Sequence, residues 1–221
     1  MPDPLPIERI TYNELRELSF VGAQVLHEGT VFPVREKNIP LNIRNTNAPD
    51  HPGTMILESI GDEMEEGGFI TGIAGKKGFT VVSIEKDMMN SEIGFGRKVL
   101  EVFEKQGLSF EHTPSGIDTM SIVIHQDEFV EKEQEVLAGL HRNVHPDAIE
   151  IESGLALIAV VGRGMKSSHG TAGKLFTALA DANVNVKMID QGSSELNIIV
   201  GVKEEDFERA FKAIYKAFYE S

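Results

Sequence analysis

One stretch of this chain occurs twice, and that constrains its fold more than any other feature. Residues 80–124 lie over residues 156–200 without a gap: Gly94 meets Gly170 (170 − 94 = 76), Lys98 meets Lys174 and Ile122 meets Ile198. Two copies of one supersecondary unit follow. In each copy an apolar, β-branched run (79–84, then 155–161) reads as a strand and empties into a loop rich in Gly, Ser and Asn (90–96 and 162–170). A helix comes next. Val99, Val102, Phe103 and Gln106, and in the second copy Leu175, Ala178, Leu179 and Ala182, recur at the i, i+3, i+4, i+7 spacing of one helix face. Gly107 and Asn183 suit the helix ends, where left-handed backbone is tolerated. A second strand (108–112, 184–189), a turn (Pro114-Ser115-Gly116, Gln191-Gly192-Ser193) and a third strand (119–124, 195–200) complete β-α-β-β.

The flanks indicate how the copies nest. Residues 128–141, with Phe129, Val136, Leu137 and Leu140 available to a sheet, read as a second helix, and 148–151 as a fourth strand. After the second copy comes a helix striped by Phe207, Ala210, Phe211, Ile214, Tyr215 and Phe218, with no strand behind it. The spare strand-like run is 69–74, upstream of the first copy. The expected fold is therefore α+β: two ferredoxin-like β-α-β-β-α-β units, the first inserted into the second. The expected segments are 80–152 for the first unit, 69–76 plus 153–221 for the second, and 1–60 as a separate leading portion.

That leading portion carries three prolines in residues 1–9, read as an arm. From Thr11, a fitting N-cap, a helix is expected to pack through Leu15, Leu18, Val21 and Val25. Residues 39–44 read as a strand and 45–53 as a loop, with the boundary to the repeats placed at 53–68.

Taken together, these features resemble the tandem ACT regulatory domains of aspartokinase. The matching stretches are 81–95, Pro114-Ser115-Gly116-Ile117-Asp118, 160–166 and 190–198; residues 10–19, 22–27 and 39–45 resemble the last part of the kinase domain in single-polypeptide, clostridial-type enzymes. The likeness covers nearly the whole chain. It implies a feedback-regulated enzyme that phosphorylates L-aspartate with ATP and Mg at the start of lysine, threonine and methionine synthesis. The family's Lys-Phe-Gly-Gly-type opening segment has no counterpart here. The ATP site, catalytic lysine and aspartate pocket are thus expected to be missing from this polypeptide, with no catalytic residue, no cofactor and no activity alone. The kinase tail argues for a shortened form of the longer enzyme over a small subunit holding only the ACT pair. A regulatory subunit joining a separate catalytic chain, a free-standing amino-acid sensor and a chain with residual activity are the alternatives.

Composition narrows the partners. A net charge of −14 repels phosphate backbones and anionic lipid, so nucleic acid and membrane surfaces are not expected partners. With no cysteine there is no disulfide or thiolate metal site, and a cytoplasmic setting is expected. Gly72 to Thr80 lacks the Gly-x4-Gly-Lys-Ser/Thr spacing of a phosphate loop and reads as a turn between strands. His141 and His145 lack the glutamate of a zinc motif and read as a solvated helix end, so no metal site is expected.

The defensible chemistry lies in the strand-to-helix loops. A helix N-terminus offers amides without intrahelical partners and the positive end of the dipole, which suits the α-carboxylate of a free amino acid. Gly94 and Gly96 allow close approach, and Asp118, with carbonyls near Phe110 and His112, suits the α-ammonium. Met89, Asn90, Ser91, Ile93, Phe95 and Glu111 complete the expected effector site. The same residues also fit plain tight packing, with Asp118 as a turn residue. A second site or an interface is assigned to Met165, Lys166, His169, Gly170, Gln191, Ser194 and Glu195. The first unit gathers Glu85, Asp87, Glu92, Glu111 and Asp118, whereas the second offers Lys166, His169 and Lys187 against Glu195. A second ammonium is better neutralised in the first, which favours L-lysine there, in line with the resemblance; L-threonine is second. Because ACT units of the family pair across chains with effectors at or near the seams, the resemblance also implies a homodimer.

Overall fold

The structure is a computed structural model and describes residues 4–23, 26, 28–60 and 70–220, the side chains of 28–30, 32 and 167 excepted. Val25, His27, residues 62–68 and Phe69 therefore lie outside the described residues, and with them part of the expected domain boundary. The chain divides into two compact units, residues 77–156 and residues 1–76 with 157–221.

The unit of residues 77–156 is built on the C-terminal half of β4 (Gly72–Glu85), on β5 (Thr119–His125) and on the N-terminal half of β6 (Ala148–Val161), with β4 between the other two. Strand β5 runs antiparallel to β4 in a register that sets Val82 opposite Ile122 and Ile84 opposite Met120. Helices α3 (Phe95–Lys105), α4 (Gln126–Val130) and α5 (Glu133–Asn143) cover the apolar face. Val82, Ile84, Ile122 and Ile124 from the sheet meet Val99, Val102 and Phe103 of α3, Phe129 of α4 and Val136 and Leu140 of α5 in one buried core. At period two and period 3.6 respectively, these are the faces that alternation and helical spacing select. Each large aliphatic or aromatic side chain so buried contributes about 1.5–3 kcal/mol.

The other unit uses the N-terminal half of β4, the C-terminal half of β6, then β8 (Asn197–Lys203) and β7 (Met188–Asp190), neighbours in that order. This is the ferredoxin-like arrangement, its outer strand supplied by the run upstream of the repeat, as nesting requires. Helices α6 (Thr171–Asp181) and α7 (Phe207–Tyr219) pack together and bury Leu175, Leu179, Ala210, Ile214 and Phe218. The leading portion belongs to the same unit. It forms a small sheet of β1 (Arg9–Thr11), β3 (Thr54–Leu57) and β2 (Leu41–Ile43), with α1 (Tyr12–Phe20) and α2 (Glu28–Glu36). Thr11 caps α1 in a full capping box with Glu14, and Leu15, Leu18 and Val21 are buried. The described part of the proline-rich arm is docked: the Leu5 amide donates to the Tyr215 hydroxyl at 2.9 Å and the Thr54 hydroxyl to the Ile7 carbonyl at 2.6 Å.

Five local readings are corrected. Residues 72–80 do not turn; they run through β4, where Gly78 takes a positive φ of 92° without ending the strand. Likewise the fourth strand of the first unit and the first strand of the second are a single element, β6, with Gly154 at φ 72°. The expected strand 108–112 is reduced to a bridge from His112 to Val123, and the helix expected over 128–141 breaks at Glu131 and Lys132 into α4 and α5. Finally, 184–189 pairs only from Met188 onward.

Candidate functional site

In the unit of residues 77–156, β4 leads into a loop that ends at Gly94, the N-cap of α3, in left-handed conformation (φ 79°). No side chain caps this helix, and an added Cβ at Gly94 would meet nothing within 4 Å, so the N-terminus is open at that point. Met88, also left-handed at φ 57°, starts a short 3-10 turn over Met89–Ser91. Two backbone bonds tie this loop to the segment before β5: the Lys86 amide donates to the Asp118 carbonyl at 2.9 Å and the Asn90 amide to the Ile117 carbonyl at 3.2 Å. These bonds hold Lys86 and Asn90 against Ile117 and Asp118; Ser91, Ile93, Gly94 and Gly96 follow along the same loop into α3. Met89, Phe95 and His112 are buried, and the first two belong to the core.

The acids separate into engaged and open groups. Glu92 is clamped between Lys86 and Lys98, each Nζ at 2.6 Å. Hydrogen bonds from these two ammonium groups hold its carboxyl down at about 2. Lys86 also donates to the Val144 carbonyl at 2.6 Å, so the clamp ties the loop to the end of α5. Glu111 pairs with His125 Nε2 at 3.1 Å, and the His125 ring stacks on Phe79. Glu85, Asp87 and Asp118 enter no ion pair among the described residues. Of these three Asp118 is half-buried, and the other two are exposed. Counting all five acids as available to a ligand ammonium is thus corrected by the tertiary partners of Glu92 and Glu111.

Around this loop stand several exposed apolar side chains: Met88 (70% exposed), Ile93 (97%), Phe110 (46%) and Ile117 (69%).

In the other unit the equivalent loop runs from Gly162 to Gly170, which N-caps α6 at φ 88°. Met165 is buried; Lys166, His169, Gly170, Gln191, Ser194 and Glu195 are exposed. Sequence reasoning missed two features here. Thr171 Oγ1, at the first turn of α6, is buried and has no hydrogen-bond partner among the described residues. Glu14, fully buried on α1, accepts from the Arg163 amide at 3.0 Å and from the Thr71 hydroxyl at 2.5 Å. The Arg163 contact spans 149 positions in sequence and left no local signal.

Among the described residues no cluster of His, Asp or Glu could hold a metal ion, and no helix is long and apolar enough to cross a membrane. His141 and His145 are exposed at the end of α5 and just beyond it.

The ACT domain family model matches residues 158–218. Aspartokinase 3 of Bacillus subtilis is 40% identical over 98% of this chain and 47% of its own length. The crystal structure of Clostridium acetobutylicum aspartate kinase, described as an allosteric enzyme, superimposes with a TM-score of 0.93 at 52% identity, over 99% of this chain and 50% of that one. Escherichia coli aspartokinase III in complex with lysine and aspartate (T-state) shares the fold, with a TM-score of 0.75 at 21% identity over 96% of this chain and 46% of that one. The chain thus spans about half the length of the relatives it matches. Repeat, nested ferredoxin-like units and these likenesses agree: the chain belongs to the aspartokinase family, as its ACT-domain regulatory region preceded by the tail of the kinase domain.

Proposed function

We propose that this chain is the effector-sensing part of an aspartokinase, and that it takes L-lysine at the loop of residues 86–94. The observation that carries this reading is Asp118. Its carbonyl holds the Lys86 amide, its half-buried carboxylate is without an ion-pair partner among the described residues, and the uncapped N-terminus of α3 follows Gly94 in the same loop system. A free amino acid would place its carboxylate at the α3 amides and its α-ammonium at Asp118, with Asn90 and Ser91 beside it. Glu85 and Asp87 favour a cationic side chain over the hydroxyl of threonine. The lysine complex of the Escherichia coli enzyme supports the same choice.

Inhibition then equals the difference in lysine affinity between two states of the enzyme. Met88, Ile93, Phe110 and Ile117 would form the seam of a homodimer next to the ligand, so that binding and pairing are linked. An open cleft lined by Tyr12, Leu15, Arg16 and Val31 would seat the remaining kinase domain. ATP and Mg belong to that domain. Gly72 to Thr80 is strand and forms no phosphate loop. Phosphorylation of aspartate is therefore assigned to the whole enzyme, in the cytoplasm, and not to this chain.

A thermal-shift panel tests the reading. L-lysine is expected to raise the melting temperature by a few degrees at saturation, and L-threonine by less. An equal or larger shift with threonine would transfer the site to the threonine-responsive alternative, and no shift with either would remove the effector assignment.

A further inference from the structure

The repeat extends to a detail of hydrogen bonding that assigns a role to Glu14. At the end of the first strand of one unit, the Glu85 carbonyl accepts from the Asp147 amide at 2.9 Å; in the other, the Val161 carbonyl accepts from the Thr71 amide at 2.7 Å. Both pairs are 76 apart (161 − 85 and 147 − 71), so Asp147 and Thr71 hold one structural position at the start of the fourth strand. Two residues beyond each carbonyl stands an amide that opens the strand-to-helix loop. In the first unit it is Asp87 N, and it donates to the Asp147 carboxylate at 2.7 Å. In the second it is Arg163 N, and the residue at the fourth-strand position is Thr71, which has no carboxylate. Its hydroxyl instead donates to Glu14 Oε1, and Glu14 Oε1 accepts from Arg163 N at 3.0 Å.

We propose that Glu14 is the borrowed carboxylate of the second ACT unit. It closes the Arg163 loop as Asp147 closes the Asp87 loop, and it makes α1 of the kinase tail an integral element of that unit. The loop and α1 are then ordered together, and a shift in one is passed to the other. Glu14 is a positioning residue. It also accepts from the Thr11 amide at 2.9 Å and the Thr11 hydroxyl at 2.7 Å, both at Oε2, while the Arg163 guanidinium lies 3.3 Å from that oxygen. A capping-box glutamate needs only the Thr11 contacts and ordinarily faces water. This one is fully buried, and a buried carboxylate is tolerated only while its hydrogen bonds persist, so the two sides of the contact are held or lost as one.

Hydrogen exchange by mass spectrometry on the full chain tests this, with Glu14→Ala, Thr71→Asp and the double variant. Glu14→Ala is expected to speed exchange at least tenfold both in α1 and in residues 162–168, with residues 77–156 unchanged. Adding Thr71→Asp supplies the carboxylate within the strand, as Asp147 does, and should restore protection to residues 162–168 but not to α1. Should Glu14→Ala not fold, Glu14→Gln, which keeps one acceptor and the shape, is read at the same two segments. Faster exchange confined to α1 would reduce Glu14 to a helix cap and overturn the proposal. A double variant whose loop stays as unprotected as in Glu14→Ala would overturn it equally.

Discussion

Gly78 and Gly154, 76 residues apart, occupy one position in two strands of fourteen residues, and both adopt positive φ, 92° and 72°. The strands themselves, Gly72–Glu85 and Ala148–Val161, begin and end 76 apart. Each gives its first half to one unit as fourth strand and its second half to the other as first strand. An added Cβ meets nothing within 4 Å at either glycine, so the requirement is conformational and not steric crowding. Gly78→Ala and Gly154→Ala should each cost about 1–2 kcal/mol, read from urea midpoints at unchanged slope.

Packing in the first unit makes a sharper prediction. A Cβ on Gly139 of α5 would lie 2.7 Å from Val102 Cγ1 of α3, so the two helices meet where one has no side chain. Gly139→Ala should destabilise by about 1–3 kcal/mol. Val102→Ala creates room, and the double variant should recover part of the loss; additive losses would refute the contact.

Acid should find the carboxylates that the fold has engaged. Burial alone would raise the Glu14 carboxyl, but hydrogen bonds from Thr71, Thr11 and the Arg163 amide outweigh it and bring it below its ordinary value, with the Arg163 guanidinium facing it. A carboxyl lowered in the folded state gives stability that is complete above the unfolded value and lost as pH falls through the folded one. For Glu92 that window runs from about 4.5 down to about 2, with Lys86 and Lys98 facing it. Stability measured by denaturant should therefore fall below pH 4.5, and less steeply in Glu14→Gln and in Glu92→Gln.

The repeat made the architecture legible, because hydrophobic period reports local structure and a constant offset reports topology. What it hid were the strand halves. Lys76, Lys77 and Gly78 read as turn chemistry, and only the register shows that positive φ at Gly78 leaves the strand running. The extended alignment of Gly78 with Gly154 was the available signal. Loop residues Asn90, Gly94 and Asp118 were chosen as candidates from helix-terminus and turn chemistry, which are local. The engagement of Glu92 by Lys86 and Lys98 and of Glu111 by His125 depends on tertiary neighbours, as does the reach of Glu14 to Arg163. No periodicity encodes such pairs.

Isothermal titration of the chain with L-lysine, repeated on Asp118→Ala, tests the central claim most directly. The account predicts saturable binding that Asp118→Ala abolishes while circular dichroism and the unfolding midpoint stay close to the parent. Unchanged lysine affinity in a folded Asp118→Ala protein would contradict it.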